Sequence, residues 1–365
     1  MTMLADTRYS NRRRAVAAAF AGDRLDALVV DHGVHVRYLT GFTGSNGGVL
    51  LRKDLSATVA TDGRYTTQIA EQVPDLQAIT ASACAPTLAA TVEGPCRLGY
   101  EADFTSVSQR NALEEAVGED VTLVPVTGLV EKVRLIKDEG ELDELRAVAA
   151  LATQALSELI EAGELAVGRT EIAIAADLEY RMRKLGAAST SFDTIVASGV
   201  NSSKPHHSAS DKVIESGDLV TIDYGALLRG YNSDCTRTFI VGEPTDFARE
   251  IYDVVYRAQQ AGVERAVAGT ACKDVDAACR EVIREAGYEQ YFVHSTGHGI
   301  GLDVHEAPAA AAKSTGELAA GMTLTIEPGV YIPGKGGVRI EDTLIIRDGA
   351  AENITTYPKE LTVIS

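Results

Sequence analysis

Acidic residues interrupt apolar, strand-like runs at four places in the C-terminal half of this chain, and histidines gather at a fifth. In "LVTIDYGALLRGYNSDCTRTFIV" two alternating apolar runs flank "LRGYN", which reads as a hairpin turned near Arg229 and Gly230. That turn puts Asp223 and Asp234 on one face as diagonal cross-strand neighbours, roughly 7–8 Å apart at the backbone. Two carboxylates so placed repel each other unless a cation lies between them, and a divalent metal is the usual cation. Either aspartate alone also suits a strand end or a turn. Further on, "TLTIEPGVYI" ends an apolar strand on Glu327, and "GVRIEDTLII" carries Glu341 in mid-strand with Arg339 two residues earlier on the same face. Glutamate is poor strand material and a charge in such a run is rarely buried unpaired, although either residue alone also suits a salt-bridged edge position. "HSTGHGIGLDVHE" places His294, His298 and His305 within twelve positions, and Gly297 and Gly299 let His298 approach its surroundings closely. Asp223, Asp234, His298, Glu327 and Glu341 together make an oxygen-rich set of five candidate ligands.

The elements that must position this set belong to a large globular chain. At 365 residues it exceeds what one hydrophobic core serves, so two domains are expected. Fifty-two acids against 34 bases give a formal charge of −18, which disfavours nucleic acid and anionic membrane as partners. No run approaches the roughly 18 apolar residues of a membrane span. The N-terminal "SNRRRAVAAAFAG" has a short apolar part that runs into Asp23 and Arg24, and reads as an amphipathic helix rather than an export signal. Cys84, Cys96, Cys235, Cys272 and Cys279 are odd in number and lack CxxC spacing, which fits free thiols in a reducing cytoplasm.

Up to about Val130, short apolar runs such as "LDALVVD", "VRYLTGF" and "GGVLL" alternate with helix-like stretches, the pattern of a small α/β domain covering residues 1–130. Within it "GFTGSNGG" departs from G-x-G-x-x-G and no helix pattern follows, so it reads as a tight turn between strands, not a phosphate cradle. From 131 to 365 the order is helix, helix, strands, then helix, helix, strands again. The first pair comprises a long leucine-spaced helix ending at Gly163 and a second from Thr170, its cap, to Leu185. The second pair spans about Phe247 to Ala268 and Lys273 to Ala286, which suggests an internal pseudo-two-fold repeat around a central sheet. Cys235 is expected to point away from Asp234 and to pack.

The whole set resembles the pita-bread metallopeptidases, the family of methionine aminopeptidase, aminopeptidase P and Xaa-Pro dipeptidase (prolidase). "VRYLTGFTGSNG" and "TDGRY" look like the creatinase-type domain that precedes the catalytic domain in the proline-specific members. The resemblance implies an α/β creatinase-like N-terminal domain followed by an α+β pita-bread catalytic domain. It implies two divalent ions on Asp223 and Asp234 of "DYG…NSD", His298 of "TGHGIG", Glu327 of "IEPG" and Glu341 of "RIED". Between them a water or hydroxide would be the nucleophile, with Glu327 passing its proton to the leaving nitrogen. His206 of "KPHHS" would stand at the pocket mouth as a catalytic residue, and His207 beside it would not. His305 would stabilise the tetrahedral intermediate, His294 would line the pocket for the proline ring, and Arg339, facing Glu341, would hold that ligand in place. His32 and His35 have no such context and read as structural. Four carboxylates against one imidazole make a hard ligand set that favours Mn²⁺ or Co²⁺, with Mn²⁺ put first.

Within the family, prolidases generally carry an arginine shortly after the "HE" that follows the second histidine, where it can clamp a dipeptide's carboxylate. Here the run is "HEAPAAAAK", and Ala309 stands in its place. That departure favours an Xaa-Pro aminopeptidase of the aminopeptidase P kind, acting on small peptides with proline second, over the dipeptidase. Methionine aminopeptidase is disfavoured by the N-terminal domain and metal-free creatinase by the complete ligand set. A non-enzymatic peptide-binding protein on the same fold is the alternative from another class. The resemblance alone suggests a homodimer.

Overall fold

The structure, a computed structural model, describes residues 7–365 and contains two compact units that divide between Arg134 and Leu135. In the first, strands β1 (Ala27–Val30), β2 (Gly47–Arg52), β3 (Ala57–Thr61), β4 (Gln77–Thr80), β5 (Cys96–Glu101) and β6 (Val121–Val126) form one sheet in the order β4-β3-β2-β1-β5-β6. Strands β1, β5 and β6 run parallel, while β2 is antiparallel to both of its neighbours. Helices α1 (Arg8–Asp23), α2 (Gly33–Thr40), α3 (Thr66–Gln72), α4 (Cys84–Ala89), α5 (Val107–Ala116) and α6 (Leu129–Arg134) complete the unit. Val29, Leu50, Leu88 and Leu98 meet in its core.

Most of "VRYLTGF" is helix, contrary to the alternation expected there. Helix α2 buries Val36, Tyr38 and Leu39 and ends on Gly41, whose φ of 80° supplies the left-handed cap. The glycine-rich stretch that follows therefore joins a helix to a strand. His32 stacks on Phe104 with ring centres 3.8 Å apart, and His35 is buried against Glu101.

The second unit opens with α7 (Glu139–Glu161), held at its start by a capping box between Asp138 and Glu141. Thr170 caps α8 (Glu171–Lys184), its hydroxyl accepting from the Ala173 amide. Strands β7 (Ser189–Thr190), β8 (Ile195–Ser198), β9 (Asp218–Tyr224), β10 (Ala226–Leu228), β11 (Tyr231–Asn232) and β12 (Cys235–Val241) follow. Then come α9 (Asp246–Arg265) and α10 (Cys272–Glu285), and a second run of strands: β13 (Gly297–Gly299), β14 (Glu306–Ala310), β15 (Thr323–Ile326), β16 (Gly329–Ile332), β17 (Gly336–Arg339), β18 (Asp342–Ile345), β19 (Glu352–Asn353) and β20 (Val363–Ile364). Each half thus runs helix, helix, strands. Apolar faces of α9 and α10 meet Leu324, Ile326, Val338 and Leu344 in a shared core.

Two local features set up the site. Strands β9 and β12 pair over seven residues with Asp223 opposite Thr236, which puts Asp234 diagonal to Asp223. The chain turns between β10 and β11 at Arg229 and Gly230, whose φ values of 47° and 87° are those of a primed two-residue hairpin turn. In contrast, "GVRIEDTLII" is not one strand. It breaks after Arg339, leaving Ile340 and Glu341 between β17, which pairs with β16, and β18, which pairs with β15. All five cysteines are buried and free, Cys235 among them. No helix among the described residues is long and apolar enough to cross a membrane.

Candidate metal centre

Five separate segments converge on one buried volume. Asp223 comes from β9, Asp234 from the residue before β12, His298 from β13, Glu327 from the residue after β15, and Glu341 from the break between β17 and β18. One ligand atom each from Asp234, His298 and Glu341 lie within 4.8 Å of one another. His298 Nε2 stands 3.3 Å from Glu327 Oε1 and 3.6 Å from Asp234 Oδ2.

The glycines beside His298 permit this approach. A Cβ on Gly297 would stand 1.7 Å from the Thr325 carbonyl oxygen, so β13 reaches β15 only because that atom is missing. Thr325 then links two members of the set: its hydroxyl accepts from the His298 amide at 3.0 Å and donates to Glu327 Oε1 at 3.2 Å.

The electrostatics call for a cation. Burial, followed by the charges of Glu341, Asp223 and Glu327, pushes the Asp234 carboxyl well above its usual range. Burial also raises Glu341 and Glu327, with neighbouring carboxylates adding to it. His298 is held down to about 4 by burial, so its ring is neutral at pH 7. Its Nδ1 lies 3.0 Å from the Gly299 carbonyl and must carry the proton, which leaves the Nε2 lone pair facing carboxylate oxygens. A lone pair against ionised carboxylates is repulsive unless a cation or a shared proton lies between them, and the raised carboxyls record that crowding. Two further oxygens, Asp223 Oδ1 and Glu341 Oε1, are buried without a hydrogen-bond partner among the described residues. Orphaned hard oxygens and an aimed imidazole lone pair fit divalent metal ions.

Among the described residues, Arg339 is the one lysine or arginine bordering this volume, and each of its three nitrogens has a partner. It donates to Asp223 Oδ2 at 2.7 Å, to the Tyr331 hydroxyl at 2.9 Å, to Thr236 Oγ1 at 3.1 Å and to the Pro205 carbonyl at 3.3 Å. It therefore pairs with Asp223 and not with Glu341, because the break between β17 and β18 removes the two-residue alternation that would have aligned them. Thr236 mediates instead, donating to Glu341 Oε2 at 2.8 Å.

The set opens into a cavity of about 760 Å³. His206, His294, His298, His305, Glu327 and Arg339 all border it, as do Asp223, Asp234 and Glu341. His305 meets His298 edge to face at 4.4 Å. His294 directs Nδ1 at the Ser295 carbonyl and accepts from the Tyr331 hydroxyl at its other nitrogen, each at 2.8 Å. The spacing gives no site role to Tyr331, Thr236 or Thr325, and "TLTIEPGVYI" offers only the proximity of Tyr331 to Glu327 as a hint. His207, set aside by the resemblance, also borders the cavity.

Comparison with known proteins agrees with this geometry. The pattern of metallopeptidase family M24 matches residues 143–348, and that of the creatinase/prolidase N-terminal domain matches residues 12–136. An Xaa-Pro dipeptidase from Pyrococcus furiosus is 46% identical over 236 residues, 65% of this chain and 67% of that one. The structure of an Xaa-Pro dipeptidase from Bacillus anthracis superposes with a TM-score of 0.92 at 42% identity, covering 98% of this chain and all of the other. An X-Pro aminopeptidase from Thermotoga maritima gives 0.87 at 35% identity, covering 95% of this chain and 100% of that one. With a creatinase-type domain ahead of a pita-bread domain that gathers these carboxylates, the chain belongs to metallopeptidase family M24, and is a metal-dependent exopeptidase.

Proposed function

We propose that this protein is an Xaa-Pro dipeptidase that hydrolyses the bond before proline in very short peptides, using two divalent ions held by Asp223, Asp234, His298, Glu327 and Glu341. The observation that carries the reading is the likeness, in a chain with all five ligands, to proteins named Xaa-Pro dipeptidase at 42–46% identity. This reverses the order favoured by Ala309. A missing arginine removes one possible carboxylate anchor but builds nothing that would accept a longer chain. The aminopeptidase reading keeps one specific support, the engagement of each of the three Arg339 nitrogens by protein partners.

When bound, the ions supply Lewis acidity toward the scissile carbonyl and a lowered pKa for the attacking water. Glu327, buried beside Arg339 and Thr325, takes the water's proton and delivers it to the proline nitrogen, which has no hydrogen of its own. His305 and His206 border the cavity and present donors to the carbonyl oxygen as charge develops there. His294, fixed by Ser295 and Tyr331, forms a wall for the proline ring. The hard ligand set favours Mn²⁺, with Co²⁺ second. Five buried free cysteines suit a reducing cytoplasm, and homodimeric assembly rests on the resemblance alone.

The deciding experiment offers an equal mixture of an Xaa-Pro dipeptide and an Xaa-Pro-Yaa tripeptide to metal-stripped protein reloaded with Mn²⁺, with products followed by mass. Faster dipeptide cleavage is expected. Faster release of the first residue from the tripeptide would establish the aminopeptidase reading, and no cleavage with Mn²⁺ or Co²⁺ would overturn the proline-specific assignment.

A further inference from the structure

His206 is one of the residues assigned to the reaction that regular structure does not hold. It is exposed at the cavity mouth, in a loop without regular structure between Lys204 and Lys212. An exposed imidazole that must meet a substrate needs its backbone fixed on both sides, or rotamer and loop freedom dilute the productive geometry. The preceding side is fixed by Arg339, which donates to the Pro205 carbonyl.

The following side leads to Glu171, the first residue of α8 and fully buried. One carboxylate oxygen accepts from the Ser198 amide at 2.7 Å, from the Ser198 hydroxyl at 2.8 Å and from Asn201 Nδ2 at 3.1 Å. The other accepts from the Ser210 hydroxyl at 2.6 Å, from the Ser210 amide at 3.2 Å and from His207 Nε2 at 2.8 Å. Burial alone would raise this carboxyl, but the bonds from Ser210, His207, Ser198 and Asn201 outweigh it and hold it down to about 2. Glu171 is thus an anion throughout the neutral range, tying the end of β8 and the turn after it to His207 and Ser210. Such a hub exceeds what a helix N-terminus needs, since Thr170 already caps α8.

We propose that Glu171, acting through the His207 ring, is a positioning residue that fixes His206 at the mouth of the active site. The proposal rests on the placement of His206 in the site, and on no choice between dipeptide and tripeptide. Glu171 touches no substrate, and its effect passes through the backbone from 207 to 206.

The test uses metal-loaded protein and whichever of the two peptides the wild type cleaves better. Glu171→Gln and His207→Leu are expected to lower kcat about tenfold, the low end of the loss seen when a partner that orients a metal ligand is removed, with bound metal unchanged. His207→Gln, which keeps a donor, is expected to retain most of the activity. In a His206→Ala background, Glu171→Gln should cost nothing further, since the two act through one position. Equal losses with and without His206 would overturn the proposal and leave Glu171 a general structural residue. Amide hydrogen exchange of residues 204–210 gives a readout independent of turnover and of the substrate assignment. Faster exchange there in Glu171→Gln and His207→Leu is expected, and unchanged exchange would overturn the proposal even if the enzyme cleaved neither peptide.

Discussion

Arg339 and Asp223 form a largely buried ion pair, with guanidinium Nη2 2.7 Å from carboxylate Oδ2, while Asp223 Oδ1 is buried without a hydrogen-bond partner among the described residues. Arg339 makes further bonds to Tyr331, Thr236 and Pro205 in a fixed planar fork that an ammonium cannot reproduce. Arg339→Lys is therefore expected to raise the Mn²⁺ concentration needed for half-maximal activity by about 10–100-fold. A variant with unaltered metal dependence but a raised KM would instead place Arg339 against the substrate.

The convergence of Asp223, Asp234, His298, Glu327 and Glu341 was legible because each stands out from the pattern around it. Asp223 and Asp234 stand at the ends of apolar runs, Glu327 closes a strand, and Gly230 marks the hairpin turn with the residue type that a positive φ favours. What the ligands touch was less legible. Arg339 and Glu341 satisfy a two-residue alternation on paper, but the chain passes from one sheet to another between them, and apolar residues on both sides hide that break. Glu171 and His207 are 36 residues apart in segments whose link depends on how the β8 turn and the following loop fold back, and no periodicity records it. Helix α2 was misread for a related reason: in eight residues, a helical face and a short buried strand look alike.

Metal-free protein should respond to Asp234→Asn in the direction opposite to metal-loaded protein. Without a cation, burial and the charges of Glu341, Asp223 and Glu327 all penalise ionised Asp234, so the neutral amide is expected to raise the unfolding midpoint measured in chelator. With Mn²⁺ the same change removes a ligand and is expected to lower both midpoint and activity. The sign of the pH effect follows from the same shifts. Glu327 is raised from 4.5 to about 8, so the folded metal-free chain binds more protons than the unfolded one between those values. Its stability should fall as pH rises through that window. A metal-free wild type whose stability rises over that range would show that the carboxylates are not crowded as described.

Gly297→Ala tests whether close approach of β13 to β15 is what delivers His298. The new methyl would lie 1.7 Å from the Thr325 carbonyl oxygen, a backbone atom that cannot swing aside. The strands must separate, at a cost of about 1–3 kcal/mol in stability, and His298 withdraws from Glu327 and Asp234. Calorimetric titration with Mn²⁺ is expected to show weakened binding at one site or both. Normal metal affinity would mean that the strand shifts without carrying the imidazole away.

Ala309→Arg addresses the substrate directly. Ala309 stands opposite His298 in the β13–β14 register, and residues directly opposite in an antiparallel pair project from the same face. Its methyl is exposed, so a longer side chain meets no packed core and can extend alongside His298. A guanidinium there would pair with the carboxylate of a bound Xaa-Pro dipeptide, while in a tripeptide that carboxylate lies one residue farther away. The expected outcome is a kcat/KM ratio, dipeptide over tripeptide, raised about tenfold, the 1.4 kcal/mol scale of one charge-assisted bond, with the change appearing mainly in KM because the anchor acts equally in ground and transition states. An unchanged ratio would mean that the carboxylate is held elsewhere in the cavity, and Ala309 would then carry no information about peptide length.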